Sequence, residues 1–160
     1  PTGTCLILIT PDSERTMCTF LGTSGKINKT DINIAAIKNS GITFLELVQN
    51  QIDITFANEQ EIMSLTDSKS FEEVINFGKK LNKLLIITRG DKGSIGIKGN
   101  EISECESAKN LELIDLTGAG DLFAAGFLHG YINKKPVSES LVKGTEMATK
   151  IIQRIGARLS

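Results

Sequence analysis

The chain has 160 residues, of which 40% are hydrophobic and 23% charged, with a formal net charge of -1. That balance suits a single buried core and excludes a disordered or coiled-coil chain. The near-neutral charge also excludes the basic field that nucleic acid or an anionic membrane surface requires, which leaves a small molecule as the expected partner. Three cysteines without C-x-x-C spacing argue against a disulfide framework and a zinc site, and fit a reducing cytoplasm. No apolar run nears the roughly 20 residues that span a bilayer. Pro1 opens the chain without methionine and without the basic-then-apolar shape of a signal peptide, the mark of a trimmed, processed or partial chain.

Residues 4–10 (TCLILIT) and 15–21 (RTMCTFL) are rich in β-formers, and Pro11, Asp12 and Ser13 supply turn chemistry between them, which predicts a hairpin. Arg15, just past the turn, reads either as a cation for a phosphate or as an exposed hairpin arginine. Gly22 to Lys26 contain G-x-x-G-K, but the P-loop spacing and the following hydroxyl are missing, so no Walker motif is read. Thr30 is placed to cap a short helix through Lys38. Another helix is expected from Phe44, within ITFLELV. Residues 53–57 (DITFA) are short, apolar and β-branched, the pattern of a buried strand.

Asn58, Glu59, Gln60 and Glu61 follow at the carboxyl end of that strand, where parallel α/β sheets bind ligands. Asn58 and Glu61 suit a hydrated Mg²⁺, which needs only a carboxylate or two nearby. They equally suit a helix start, with Asn58 as cap and both glutamates at the positive end of the dipole. Ser70 and Glu73 have capping-box spacing and open a helix through Leu81. Residues 84–88 (LLIIT) form the next buried strand, followed by Arg89, Gly90, Asp91, Lys92 and Gly93, whose glycines suit a ligand loop or a plain turn. Residues 94–98 and 101–105 around Gly99 and Asn100 predict a second hairpin.

The stretch 113–132, LIDLTGAGDLFAAGFLHGYI, organises the chain. Glycines on both sides of Ala119 remove side chains where a helix begins, so the backbone N–H groups of Gly118 to Asp121 can close around an anion. Asp121 in the first turn is favoured by the helix dipole and is placed to take a proton from an attacking hydroxyl. The plainer alternative is a tight strand-to-helix turn with a surface aspartate. The helix over 121–133 is apolar nearly all round and is expected to be buried, with His129 as a packing residue. Lys134, Lys135 and Pro136 end it, and a last helix is expected over 138–155, closed by Gly156.

Asp115, Leu116, Thr117, Gly118, Ala119, Gly120 and Asp121 resemble the D-T-x-G-A-G-D type signature of the ribokinase (PfkB-type) sugar and nucleoside kinases, with Leu116 in a variable slot. The N-x-x-E of Asn58 and Glu61 resembles a second motif of the family, tied to magnesium and phosphate. Thr88, Gly90 and Gly93 resemble its nucleotide loop. The flavour is that of the adenosine kinase-like branch.

The resemblance implies a partial three-layer α/β/α ribokinase-like fold, with a mostly parallel central sheet and β-hairpins. It implies Asp121 as catalytic base and Gly118, Ala119 and Gly120 as the anion hole. Thr88, Gly90, Gly93 and Thr117 would lie at the nucleotide, and Asn58 and Glu61 at the metal. ATP and Mg²⁺ are then the expected cofactors, and a sugar or nucleoside the acceptor of the γ-phosphoryl group. The last helix would pack beside the adenine.

On this reading residues 1–25 are the hairpin segment after the substrate lid and 53–160 the ATP-binding half. The lid and the sugar-gripping first half are absent from the sequence, and Thr43 to Leu45 resemble a join across lost segments. The alternative is a non-catalytic or decayed remnant that at most binds nucleotide. Uncovered sheet edges would favour a homodimer.

Overall fold

Alternation along a single strand sets the layering. In residues LLIIT, Leu85 and Ile87 face one side of the sheet and Leu84 and Ile86 the other, and all four are buried. The computed structural model describes residues 3–11, 15–26, 28, 31 and 44–159. Strands β1 (Thr4–Ile9) and β2 (Arg15–Phe20) pair antiparallel, with Thr4 opposite Phe20 and Ile9 opposite Arg15, as the turn residues predict. A 3₁₀ turn, Gly22–Lys26, follows. Apart from Asp31, the helix expected over 30–38 lies outside the described residues, as do Ile42 and Thr43.

Helix α1 (Phe44–Asn50) begins at the expected residue and buries Val48. Strand β3 (Ile54–Asn58) leads into α2 (Glu59–Thr66), then α3 (Phe71–Leu81) and β4 (Leu84–Thr88). Strands β5 (Ser94–Lys98) and β6 (Glu101–Cys105) form the second predicted hairpin. Helices α4 (Ala119–Ile132) and α5 (Val137–Ile152) complete the unit.

The sheet order is β3-β4-β5-β6. Ile54 to Asn58 run parallel to Leu84 to Thr88, while β4 with β5 and β5 with β6 are antiparallel. Among the described residues the sheet is therefore mixed, where a mostly parallel one was expected. The cause is connection length: only β3 and β4 are joined by a helical crossover, and the turns from β4 to β6 are too short to return a strand in parallel.

Three layers result. Ile62 and Val74, from α2 and α3, pack with Leu85, Ile87, Ile95 and Ile97 on one face. Phe123, Phe127 and Leu141, from α4 and α5, pack with Leu84 and Ile86 on the other. Small residues bring α4 and α5 together: a Cβ on Gly126 would stand 2.6 Å from the Lys143 carbonyl oxygen, and one on Gly144 2.8 Å from that of Phe123. Phe127 meets Phe56 edge-on, with ring centres 5.4 Å apart.

Helix α4 is buried on one side only. Phe123, Gly126, Phe127 and Gly130 face inward, whereas Ala125, Leu128 and His129 are exposed and Ile132 is 72% exposed. This corrects the expectation of a wholly buried helix with a packing histidine. Its inward side packs on α5 and one face of the sheet. No helix of the described residues is long and apolar enough to cross a membrane. The three cysteines are free thiols.

Candidate functional site

A buried carboxylate builds the glycine turn. Asp115 is 2% exposed; its Oδ1 accepts the Thr117 N–H at 2.8 Å and its Oδ2 accepts the Gly156 N–H at 2.9 Å. The Ile114 N–H donates to the Ile152 carbonyl at 2.8 Å. The approach to the turn is thus fastened to the end of α5. Gly118, at φ +81°, caps α4 in the left-handed conformation that glycine adopts without steric cost. A Cβ there would also crowd Ala157 Cβ at 3.0 Å.

The helix opens with the orphan donors that every helix start carries. The Ala119 N–H is engaged by the Leu116 carbonyl at 3.3 Å, and the Leu122 N–H by that of Gly118 at 2.9 Å. The amides of Gly118, Gly120 and Asp121 make no hydrogen bond among the described residues. Gly120 has no positive φ, and a Cβ on it would meet nothing within 4 Å. Its missing side chain therefore serves no packing need and leaves the bare amides open to approach. Asp121 is exposed in the first turn of α4.

The parallel ladder sets the ends of β3 and β4 side by side, with Asn58 opposite Thr88. Asn58 and Glu61 form a reciprocal capping box: Asn58 Oδ1 accepts the Glu61 N–H and Glu61 Oε2 accepts the Asn58 N–H, each at 2.8 Å. The helix-start reading of these two residues is thus present in the geometry. Among the described residues no three His, Cys, Asp or Glu side chains converge as a metal cage. The donor set fits a cation that keeps its waters, with Glu61 Oε1 outside the cap, and does not fit an all-protein cage.

Residues 89–93 fold into a tight loop, with the Arg89 N–H on the Gly93 carbonyl at 2.8 Å and the Gly93 N–H on the Gly90 carbonyl at 3.1 Å. Gly93 sits at φ +87°, and a Cβ there would overlap the Cys105 carbonyl oxygen. Ser107 Oγ donates to the Asp91 carbonyl oxygen. Glu59 joins this loop from the other side: its Oε2 accepts Arg89 Nε at 3.0 Å, and its Oε1 lies 3.6 Å from Lys92 Nζ. The Arg89 hydrogen bond holds the Glu59 carboxyl below its usual range, with burial opposing and both cations assisting.

A cavity of about 540 Å³ lies between the loop and the glycine turn. Five predicted site residues line it: Thr88, Gly90, Gly93, Ala119 and Gly120. Thr117 and Gly118 shape the turn outside that lining. Asp121, Asn58 and Glu61 do not line the cavity. The far wall is Thr145, Ala148, Thr149 and Ile152 of α5, with Leu111 and Leu113 from the connection after β6. The sequence assigned none of these wall residues. Asp115, Glu59 and Arg89 were also missed in these roles. The latter pair had a signal: each stands one residue beyond Asn58 and Thr88, so parallel pairing makes them neighbours.

The layered sheet, the crossover and the glycine turn at a helix start define a ribokinase-like α/β fold. The chain belongs to the pfkB carbohydrate kinase family, whose profile matches residues 26–160 under the description "pfkB family carbohydrate kinase". A cytidine kinase from Thermococcus kodakarensis is 33% identical over 117 residues, covering 70% of this chain and 41% of that protein. A ribokinase from Lactococcus lactis is 30% identical over 116 residues, covering 72% of this chain and 37% of that one. The crystal structure of adenosine kinase from Sinorhizobium meliloti superposes with a TM-score of 0.80 at 26% identity, covering 99% of this chain and 63% of that chain. A probable sugar kinase from Rhizobium etli gives 0.79 at 28% identity, covering 99% and 62%. The chain spans about two fifths of the length of these curated relatives.

Proposed function

We propose that this chain binds ATP with Mg²⁺ and moves the γ-phosphoryl group to a hydroxyl of a sugar or nucleoside. The observation that carries the reading is the set of unpaired amides at Gly118, Gly120 and Asp121, beside a cavity of the size that small-ligand sites have. The base and ribose lie against the apolar wall formed by α5 and the segment after β6. The loop at Gly90 and Gly93 faces the phosphates.

Asp121 takes the proton of the acceptor hydroxyl as its oxygen bonds to the γ-phosphorus and the bond to the β-phosphate oxygen breaks, releasing ADP. The amides of Gly118 and Gly120 donate to the phosphoryl oxygens as negative charge shifts, and Ala119 joins them by giving up its long bond to Leu116. Asn58 and Glu61 lie where a hydrated Mg²⁺ would be held, and the ion would neutralise charge on the phosphates. Three free thiols and a small-molecule acceptor fit a cytoplasmic setting.

A second reading, a unit that binds nucleotide without transferring phosphate, is favoured by one observation: Asp121 lines neither the nucleotide-sized cavity nor the smaller one beside Tyr131. A phosphotransfer assay with labelled ATP across a panel of sugars and nucleosides separates the two. Transfer to any acceptor, abolished by Asp121→Ala while nucleotide affinity stays within about twofold, upholds the first reading. Transfer retained in that variant refutes Asp121 as base. A melt shifted by nucleotide with no transfer to any acceptor upholds the second.

A further inference from the structure

We propose that Glu59 and Arg89 are positioning residues that hold the nucleotide loop in its binding shape before nucleotide arrives, an inference that rests on the proposed nucleotide site. The loop 89–93 contains two glycines at positive φ, Gly90 at +59° and Gly93 at +87°. Such a segment has wide freedom when unrestrained. Its backbone closes on itself, but that bonding does not fix where the loop sits over the cavity. Two side-chain ties do. Ser107 holds the Asp91 carbonyl from the segment after β6, and Glu59 holds Arg89 and Lys92 from the first turn of α2.

The Glu59 tie has the features of a fixed strut. Both side chains are only 22–23% exposed. The Arg89 guanidinium carbon lies 3.8 Å from the centre of the Phe71 ring, so the planar group is clamped between a carboxylate and an aromatic face. Glu59 is also one of the two residues between Asn58 and Glu61 at the capped helix start. The strut therefore ties the proposed metal-bearing turn to the proposed phosphate-facing loop. A loop ordered in advance spares binding the cost of ordering it.

Charge alone predicts something different. Freeing Arg89 and Lys92 from Glu59 would leave two cations near an anionic ligand, and nucleotide would bind more tightly. Arg89→Lys keeps the charge and loses the planar fork and the stacking, so it isolates position from charge.

The test is calorimetric titration of a non-hydrolysable ATP analogue with Mg²⁺ into the wild-type chain, Arg89→Lys, Glu59→Gln and the double variant, with a thermal melt of each free protein. The expected result is a Kd weakened about three- to tenfold in each single variant, the scale of ordering one rotamer-rich side chain, with the double variant no weaker than the worse single one. Free-protein melts that fall while Kd stays at the wild-type value would reduce the pair to ordinary structural glue and overturn the inference. Tighter binding by Glu59→Gln would assign the pair to charge control and overturn it too. A wild-type chain that binds no nucleotide would refute the proposed function itself, and the inference with it.

Discussion

Gly120→Ala should make the free protein more stable and the nucleotide complex less so. The residue lies in the first turn of α4 without a positive φ, and its Cβ would meet nothing within 4 Å. Replacing a helical glycine by alanine at such a place removes backbone freedom from the unfolded chain and stabilises by about 0.5 to 1 kcal/mol. For 160 residues the unfolding entropy is roughly 0.34 kcal/mol/K, so the midpoint should rise by about 1.5 to 3 °C. The new methyl occupies the space above the Gly120 and Asp121 amides, where the phosphoryl oxygens are proposed to sit. Loss of one such donor typically removes about 100- to 1,000-fold from turnover.

The assay is a pair of melts, with and without Mg²⁺ and the ATP analogue. At about 100 times Kd the wild-type chain should gain roughly 2.7 kcal/mol, or about 8 °C. The variant should start higher and gain far less. A variant that gains the full nucleotide shift would refute the placement of phosphate beside Gly120. A free-protein midpoint below wild type would refute the claim that the fold has no need of glycine there.

Other substitutions probe the supports of the site. Asp115→Asn leaves one carbonyl acceptor for two half-buried N–H groups, those of Thr117 and Gly156, and should cost about 2 to 3 kcal/mol. The melting midpoint should then fall by about 6 to 9 °C, and an unchanged midpoint would rule out Asp115 as the anchor of the turn. Gly93→Ala forces a side chain at φ +87° into the Cys105 carbonyl and should weaken nucleotide binding along with stability, as paired melts would reveal. Glu59 is held below its ordinary value of 4.5, chiefly by Arg89, so it stabilises the fold at neutral pH. That contribution is lost as pH falls from 4.5 through the lowered value, because over that range the unfolded chain takes up the proton more readily than the folded one and is favoured by it. Urea midpoints between neutral pH and about pH 3 should fall more steeply for wild type than for Glu59→Gln, and parallel curves would contradict the pairing.

What the sequence revealed was local. Residues LLIIT announced a strand buried on both faces because its first four positions are all apolar. Gly99 and Asn100 announced a hairpin because few other residues suit that turn. The glycine turn was legible because both glycines and the carboxylate lie within four residues. Contacts made across long stretches of chain were not. The bond from Asp115 to Gly156 spans 41 residues, and nothing around either end marks the other. The cavity wall on α5 alternates Thr145, Ala148, Thr149 and Ile152, a pattern with the spacing of any amphipathic helix. Helix α4 misled for a related reason: a nearly uniform apolar surface says that burial is favoured, not which side finds a partner. There Phe123 and Phe127 are covered while Ile132 is not.

The clamp on the glycine turn also sets an order of events during synthesis. Strands β3 to β6 and the crossover can assemble as soon as they emerge, since their pairing partners are near in sequence. The glycine turn cannot: Ile114 waits for Ile152, and Asp115 for Gly156. A nascent chain halted before Gly156 would carry a formed sheet whose glycine turn is still loose. If the proposed nucleotide site is right, competence to hold nucleotide is acquired only once that residue has left the ribosome.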